Sequence, residues 1–550
     1  MKKYPLNRVD YYSTFRDLIE GIAEKYGEKP AISWFSRKQE EQSVTYRQMR
    51  NDVCCLQAML IQMNLAGKHI AIMGENSYEW LLVYFAATYC GATAVCIDIE
   101  QPDETVLQML EGADVDAVFV ASAYEDLCRK YAGDQKPMFL ISGRGSTLTN
   151  VKTLIESGAE IWESDRERKE NGNEVDPDAT AAIVFTSGTT NYSKPVMLSQ
   201  KAILTNASDA LANVQMGDRA FTSLPFYHTY GLTGSVVAML IQGTHLYING
   251  NLKTVMRDIQ LAKPNTLLAV PLMLETIYNK IWLQAEESGK ADGLRKLLWI
   301  RKILFSLGFK KCGKTLDAIR EKAFGTIKLI VCGGAHMSSE IMEELGYMGL
   351  TVIQGYGITE CSPFVSANRN QANKIGSVGP IMAHCEVKLE DGEILVRGTN
   401  VMKGYYKLPE LTEAVMKDGW FCTGDMGEMD KDGYLYITGR KKNLIVLKNG
   451  KKVSPEKLEE KIKKIPLVQD VVVYGAVSGG TADDVQVAAS IYPNKEKTEN
   501  MNSYEILENL QAEINEINNT LPIYQQIQMV NIREQEFSKT ATKKIKRHLI

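Results

Sequence analysis

An excess of charge of either sign is missing from this chain of 550 residues: 63 lysines and arginines stand against 67 aspartates and glutamates, a formal net charge of −4. That balance gives no electrostatic reason to expect a nucleic-acid partner. Paired cysteine motifs are missing too. The ten cysteines, at 54, 55, 90, 96, 128, 312, 332, 361, 385 and 422, form neither CxxC pairs nor the regular framework of a small secreted domain. Most lie among apolar neighbours and read as buried thiols of a cytoplasmic protein. Long apolar runs are absent: the stretch beginning at Gly231 is broken by Gln242, Thr244 and His245. No transmembrane helix is therefore expected. The first residues carry two lysines but lack the apolar core of a signal peptide. No internal repeat is evident.

What the chain does have is length and apolar content, 45% hydrophobic over 550 residues, enough for two or more well-packed domains. The run KHIAIMG, SYEWLLVYFAATYC, ATAVCI between 68 and 98 predicts strand, helix and strand of a parallel sheet. Similar alternation around 116–140, 181–250 and 264–285 predicts a layered α/β body. Trp80, Leu81, Tyr84 and Phe85 form an apolar stripe that reads as core. After about residue 440 the elements become short and charge-dense, with a helix capped by Ser454 and opened by Pro455. The fold class expected is α/β, with a large layered N-terminal domain over 1–441 and a small α+β domain over 442–550.

Five segments carry chemistry. AAIVFTSGTTNYSKPVMLS, 181–199, is an apolar strand, a loop of hydroxyls and glycine, a lysine and a second strand. Backbone N–H groups, the hydroxyls of Thr186, Ser187, Thr189 and Thr190, and the ammonium of Lys194 can together hold a polyphosphate, with Gly188 allowing close approach. The same composition, read alone, also fits an ordinary turn. KLIVCGGAH, 328–336, predicts a buried strand ending at Gly333 and Gly334, whose missing Cβ atoms admit a flat base or an acyl group, or simply a turn, with Ala335 following. QGYGITECSP, 354–363, brings Tyr356, Gly357, Thr359 and Glu360 together. DGWFCTGDMGEMDKDGYLYITGRKKNLIV, 418–446, contains Asp425 and Arg440, and EFSKTATKKIKRHLI, 536–550, ends the chain in a basic run.

In order and spacing these segments resemble the adenylate-forming superfamily of acyl-CoA synthetases, adenylation domains and luciferases, over essentially the whole chain. The resemblance implies that the first loop binds ATP phosphates, that Tyr356 stacks on adenine, that Thr359 bonds the α-phosphate and that Glu360 holds Mg²⁺. It implies that Asp425 and Arg440 read the ribose, that Lys442 is a hinge on which the small domain turns as a lid, and that Lys544 is the catalytic lysine, with Lys543 as the alternative. The segment LPFYHTYGL, 224–232, is similar to the family's approach to the acyl pocket, which places His228 at its gate and Gly231 beside it. The phosphate loop departs from the family pattern at Asn191, Ser193 and Pro195, and the terminal motif at Ser538 and Lys543. Weakened or rearranged phosphate contacts are expected from the first set.

The reaction so implied joins a carboxylic acid, a medium- or long-chain fatty acid, to coenzyme A with ATP and Mg²⁺. An acyl carrier protein as acceptor and a nucleotide-binding pseudoenzyme are the alternatives. Cys361 follows Glu360, but adenylation needs no enzyme nucleophile. LRKLLWIRKILFSLGFKK, 294–311, is basic and apolar at once and is similar to an insertion of the long-chain branch. On a helical wheel Leu294, Leu297, Leu298, Leu304 and Phe305 share one side, while Arg301 intrudes and Trp299, Ile300 and Ile303 point elsewhere. So irregular a pattern predicts packing on the main body, with peripheral membrane contact as the alternative.

Overall fold

The computed structural model describes residues 5–164, 174–186, 193–309, 313–477, 485–539, 545 and 547. The chain is α/β and divides into two compact units. The larger comprises Met1–Val387, Val396–Phe421 and Asp430–Leu435, and the smaller Lys388–Leu395, Cys422–Met429 and Tyr436–Ile550.

Two sheets build the larger unit. In one, the strands Pro30–Phe35, His245–Ile248, Arg219–Thr222, Thr266–Ala269, Leu329–Cys332 and Thr351–Gly357 run parallel in that spatial order. Antiparallel strands Glu41–Thr45 and Phe364–Ala367 close its two edges. In the other, His69–Met73, Thr93–Cys96, Ala117–Ala121, Met138–Ser142 and Thr180–Thr186 are parallel, and Lys194–Ser199 turns back on the last of them. Parallel strands covered on both faces are near-continuously apolar, and Ala117–Ala121 and Thr93–Cys96 are buried throughout.

The predicted strand–helix–strand unit is present as His69–Met73, Tyr78–Tyr89 and Thr93–Cys96. Ser77 caps the helix by accepting the Trp80 N–H at 3.1 Å. That helix is buried all round, as its lack of a polar face requires. Trp80, Leu81, Tyr84 and Phe85 have no accessible surface, and the burial of Leu81 and Phe85 contributes about 1.5–3 kcal/mol each.

In the smaller unit, Val468–Val477, Val485–Pro493 and Met529–Ile532 form a three-stranded sheet against the helices Pro455–Ile462 and Ser503–Asn519. Ser454 stands at the N-cap position as expected, but its side chain makes no capping bond. Its hydroxyl donates instead to the Thr438 carbonyl at 2.5 Å, tying the helix start to the strand Leu435–Arg440. Asn502, by contrast, makes a full capping box with Glu505.

Candidate active site

Parallel α/β sheets bind ligands beyond the carboxyl ends of their strands, and most of the sequence-predicted residues of the larger unit stand there. The strand Arg219–Thr222 leads to His228, Leu329–Cys332 to Gly333, Gly334 and Ala335, and Thr351–Gly357 to Thr359 and Glu360. Thr186 closes the strand Thr180–Thr186, opposite Lys194 in antiparallel register. Ser187, Gly188, Thr189, Thr190 and Asn191 lie outside the described residues.

Lys194 and Glu360 are brought together by a residue that sequence reasoning did not single out. Gly404–Tyr405 is a two-residue strand paired with Lys194–Ser199, Tyr405 opposite Val196. The Tyr406 N–H donates to the Pro195 carbonyl at 2.8 Å, so this proline, which brings no N–H, still anchors the pairing. From that strand the Tyr405 hydroxyl donates to Glu360 Oε1 at 2.9 Å. The Lys194 ammonium lies 4.9 Å from the Tyr405 ring centroid, within cation–π reach. Burial, with the Glu360 charge second, pushes the Tyr405 phenol well above its ordinary value, so it stays a donor.

Glu360 sits in the 3-10 turn Thr359–Cys361. Its own carbonyl accepts the Met402 N–H at 2.8 Å, and Ser362 closes the turn at φ 71°. A left-handed non-glycine residue costs about 1–3 kcal/mol and is retained where surrounding bonds over-determine it. Cys361 is fully buried, which agrees with its having no nucleophilic role. Cys332 is buried as well, and burial pushes its thiol up to about 12.

The helix Tyr230–Val237 that follows His228 is wound as a π-helix, a rare form frequently found at functional sites. Asn76 fixes its approach: the amide donates to the carbonyls of Leu224 at 2.8 Å and Asn249 at 3.2 Å, and its oxygen accepts the Phe226 N–H at 3.0 Å. The His228 ring meets Tyr227 edge-on at 4.7 Å. A Cβ on Gly231 would fall 1.9 Å from the Pro225 carbonyl oxygen, and one on Gly234 would fall 2.5 Å from the Phe364 ring. These glycines therefore serve close packing; the space a side chain would take is filled by protein. Tyr230 spans the sheet end, its hydroxyl donating to the Val331 carbonyl at 2.9 Å, and Gly333 rests against its ring. Gly334 has φ +85° and is exposed with Ala335. Tyr356 is half-buried in the strand that pairs with Phe364–Ala367, and Gly357 follows it against Pro363, whose carbonyl a Cβ would meet at 2.2 Å.

In the smaller unit Asp425 and Arg440 meet, Arg440 Nε standing 2.6 Å from Asp425 Oδ1. Asp425 is only 3% exposed, and a carboxylate so buried needs a cationic or hydrogen-bonded partner. Thr423 and Glu393 extend the cluster: the Asp425 N–H donates to the Thr423 hydroxyl at 3.0 Å, and Lys441 pairs with Glu393 at 2.5 Å. Lys442 lies next in the turn Lys441–Asn443. Lys543 and Lys544 lie outside the described residues, but their neighbours are anchored. Ile545 bridges Lys539 and packs on the cluster of Val472, Tyr492 and Phe537, and Arg547 is ion-paired with Glu459. Lys539 pairs with Asp470 at 2.7 Å.

Comparison with known proteins agrees with the ordered motifs. The AMP-binding enzyme family matches residues 19–406 and the AMP-binding enzyme C-terminal domain matches 442–550, so the chain belongs to the AMP-binding enzyme family. It is 28% identical to a long-chain-fatty-acid–CoA ligase of Mycobacterium bovis over 78% of this chain and 75% of that protein. It is 30% identical to long chain acyl-CoA synthetase 1 of Arabidopsis thaliana, over 84% and 77%. A chloroplastic long-chain-fatty-acid–[acyl-carrier-protein] ligase of the same plant is 26% identical over 88% and 76%. The fold matches that of an anthranilate CoA ligase in complex with anthranoyl-AMP, with TM-score 0.77, 19% identity and coverage of 98% and 96%. It also matches o-succinylbenzoate coenzyme A synthetase from Bacillus subtilis in complex with ATP and magnesium ion, with TM-score 0.71, 21% identity and coverage of 96% and 98%.

Proposed function

We propose that this enzyme activates a carboxylic acid, a medium- or long-chain fatty acid, with ATP and transfers the acyl group to coenzyme A. The observation that carries the reading is the convergence of Lys194 and Glu360 on Tyr405 within an AMP-binding fold. One carboxylate oxygen attacks the α-phosphorus and pyrophosphate leaves. The thiol of coenzyme A, losing its proton, then attacks the acyl carbon and AMP leaves. Both oxygens that meet at phosphorus are anionic, so neutralising and positioning them supplies most of the catalysis. In this reading Lys194 and Lys544 neutralise charge, and Thr186 to Thr190 cradle the phosphates with Thr359. Tyr356 stacks on the base beside Gly333, Gly334, Ala335 and Gly357, Asp425 and Arg440 hold the ribose, and His228 faces the acid. Lys442 is the hinge between 1–441 and 442–550, the second acting as a lid.

Glu360 fits a Mg²⁺ ligand. It is a partly accessible carboxylate oriented by one phenol, and no group of three or more acidic, histidine or cysteine side chains that could hold a metal exists among the described residues. Mg²⁺ takes one or two carboxylates and shares its other positions with phosphate oxygens and water. When bound it would neutralise phosphate charge.

The carrier-protein reading has support from the acyl-carrier-protein ligase relative. Acid-dependent pyrophosphate release, measured over short, medium, long and aromatic acids with coenzyme A or a phosphopantetheinyl carrier protein, tests both. Acceleration by coenzyme A with one aliphatic chain-length class is the expected result. Acceleration by the carrier alone would replace the acceptor, and silence with every acid would make the chain a nucleotide-binding protein.

A further inference from the structure

The helix Ala291–Ser306 has two apolar faces. Leu294 and Leu298 turn inward, and Arg301 joins them at 4% exposure, its guanidinium donating to the Phe309 carbonyl at 2.5 Å. The intruding arginine is thus absorbed by the body. On the opposite side Trp299 is 64% exposed and Ile300, Ile303 and Leu304 are 40–41% exposed. Leu307 and Phe309, at 67% and 63%, continue this surface beyond the helix end. At about 100° per residue, Trp299, Ile303, Leu307, Ile300 and Leu304 fall in one contiguous stripe. Large apolar side chains gathered in this way mark a surface that meets something.

Charge selects the partner. From Gly293 to Leu316 the sequence holds seven lysines and arginines and no aspartate or glutamate, in a chain whose net charge is −4. Among them Lys296, Lys302 and Lys314 are exposed. Two copies of this segment face to face would set like charges against each other. An anionic bilayer satisfies both properties at once: apolar side chains enter the acyl boundary, tryptophan favours the headgroup level, and lysines lay their stems on apolar surface while reaching lipid phosphates.

We propose that this outer face, Trp299 to Phe309 with its flanking lysines, docks the protein on the surface of an anionic lipid bilayer. The docking requires neither ATP nor acid, so its test stands apart from the ligase reading. No helix among the described residues is long and apolar enough to cross a membrane, so this contact lies on the surface.

The experiment is cosedimentation of the full-length protein, without nucleotide, with vesicles of phosphatidylcholine alone or mixed with phosphatidylglycerol. Partition should favour the anionic vesicles by about tenfold or more and weaken as salt is raised. Ile303→Glu with Leu304→Glu should lower binding to the anionic vesicles about tenfold or more, with an unchanged circular dichroism spectrum. Lys296→Ala with Lys302→Ala should lower the preference for anionic lipid. Lipids brominated in the acyl chain should quench tryptophan emission in the parent and much less in Trp299→Phe. Equal partition to both vesicles, binding to neither, or quenching unchanged in Trp299→Phe would overturn the proposal. A dimer in analytical ultracentrifugation that Ile303→Glu with Leu304→Glu dissolves, without lipid binding in the parent, would make the face a self-association surface instead.

Discussion

Tyr405 is where a single side chain decides most. Its hydroxyl holds one oxygen of Glu360 and its ring faces Lys194, so two charges of opposite sign are set around one rigid phenol. A hydrogen bond to a charged acceptor contributes about 1.5–3 kcal/mol, so Tyr405→Phe should lower kcat/KM for pyrophosphate release about 10- to 100-fold. The Mg²⁺ concentration giving half-maximal rate should rise with it; an unchanged Mg²⁺ dependence would show that the phenol does not orient Glu360 for metal. Asp425→Ala should raise KM for ATP, and an unchanged value would remove Asp425 from the ribose site. Asp425, Arg440 and Glu360 stand out as candidates in the sequence because each lies in an ordered motif. Tyr405 does not, because its partner lies 45 residues away and one chain carries no record of that contact.

Elements were legible where one physical demand dominated. The unbroken apolar character of Tyr78–Tyr89 required burial on all sides, and the structure buries it so. The helix Ala291–Ser306 packs on the body through Leu294 and Leu298 as its sequence predicts, and Arg301 can be buried beside them because a carbonyl accepts its proton. Ser454 gave the right boundary and the wrong bond, since the Thr438 carbonyl competes for its hydroxyl. The π-helix Tyr230–Val237 has no simple sequence signal; its Gly231 is demanded by the Pro225 carbonyl, a tertiary neighbour.

The strand His245–Ile248 carries a pH-dependent contribution to stability. His245 Nε2 lies 2.7 Å from the Ser33 hydroxyl, and burial, with the Arg219 charge second, holds the imidazole below its ordinary value of 6.5. As pH falls below 6.5 the unfolded chain takes up this proton before the folded one does. The contribution is therefore complete above 6.5 and is lost as pH falls through the lowered folded value. Denaturant midpoints should drop between about pH 7.5 and 5.5 more in the parent than in His245→Gln. Equal drops would mean that the ring is accessible enough to protonate in the folded state.

At the scale of the whole molecule, the near-neutral balance of charge agrees with catalysis on small anionic substrates by locally placed cations. Lys539, Ile545 and Arg547 are each anchored within the smaller unit. Lys544→Ala should slow adenylation about 10²–10³-fold, the scale for losing one charged transition-state donor. Thioester formation from supplied acyl-adenylate should largely persist; equal loss in both half-reactions would make Lys544 structural.

In the proposed reaction a carboxylate oxygen attacks the α-phosphorus of ATP and stays with the nucleotide when the thiol displaces it. Mass analysis of the AMP formed from a fatty acid labelled with ¹⁸O in its carboxylate, in the presence of ATP, Mg²⁺ and coenzyme A, reads this directly. One labelled oxygen in AMP and none in pyrophosphate is the expected result. Unlabelled AMP, or label carried into inorganic phosphate with ADP as product, would contradict it.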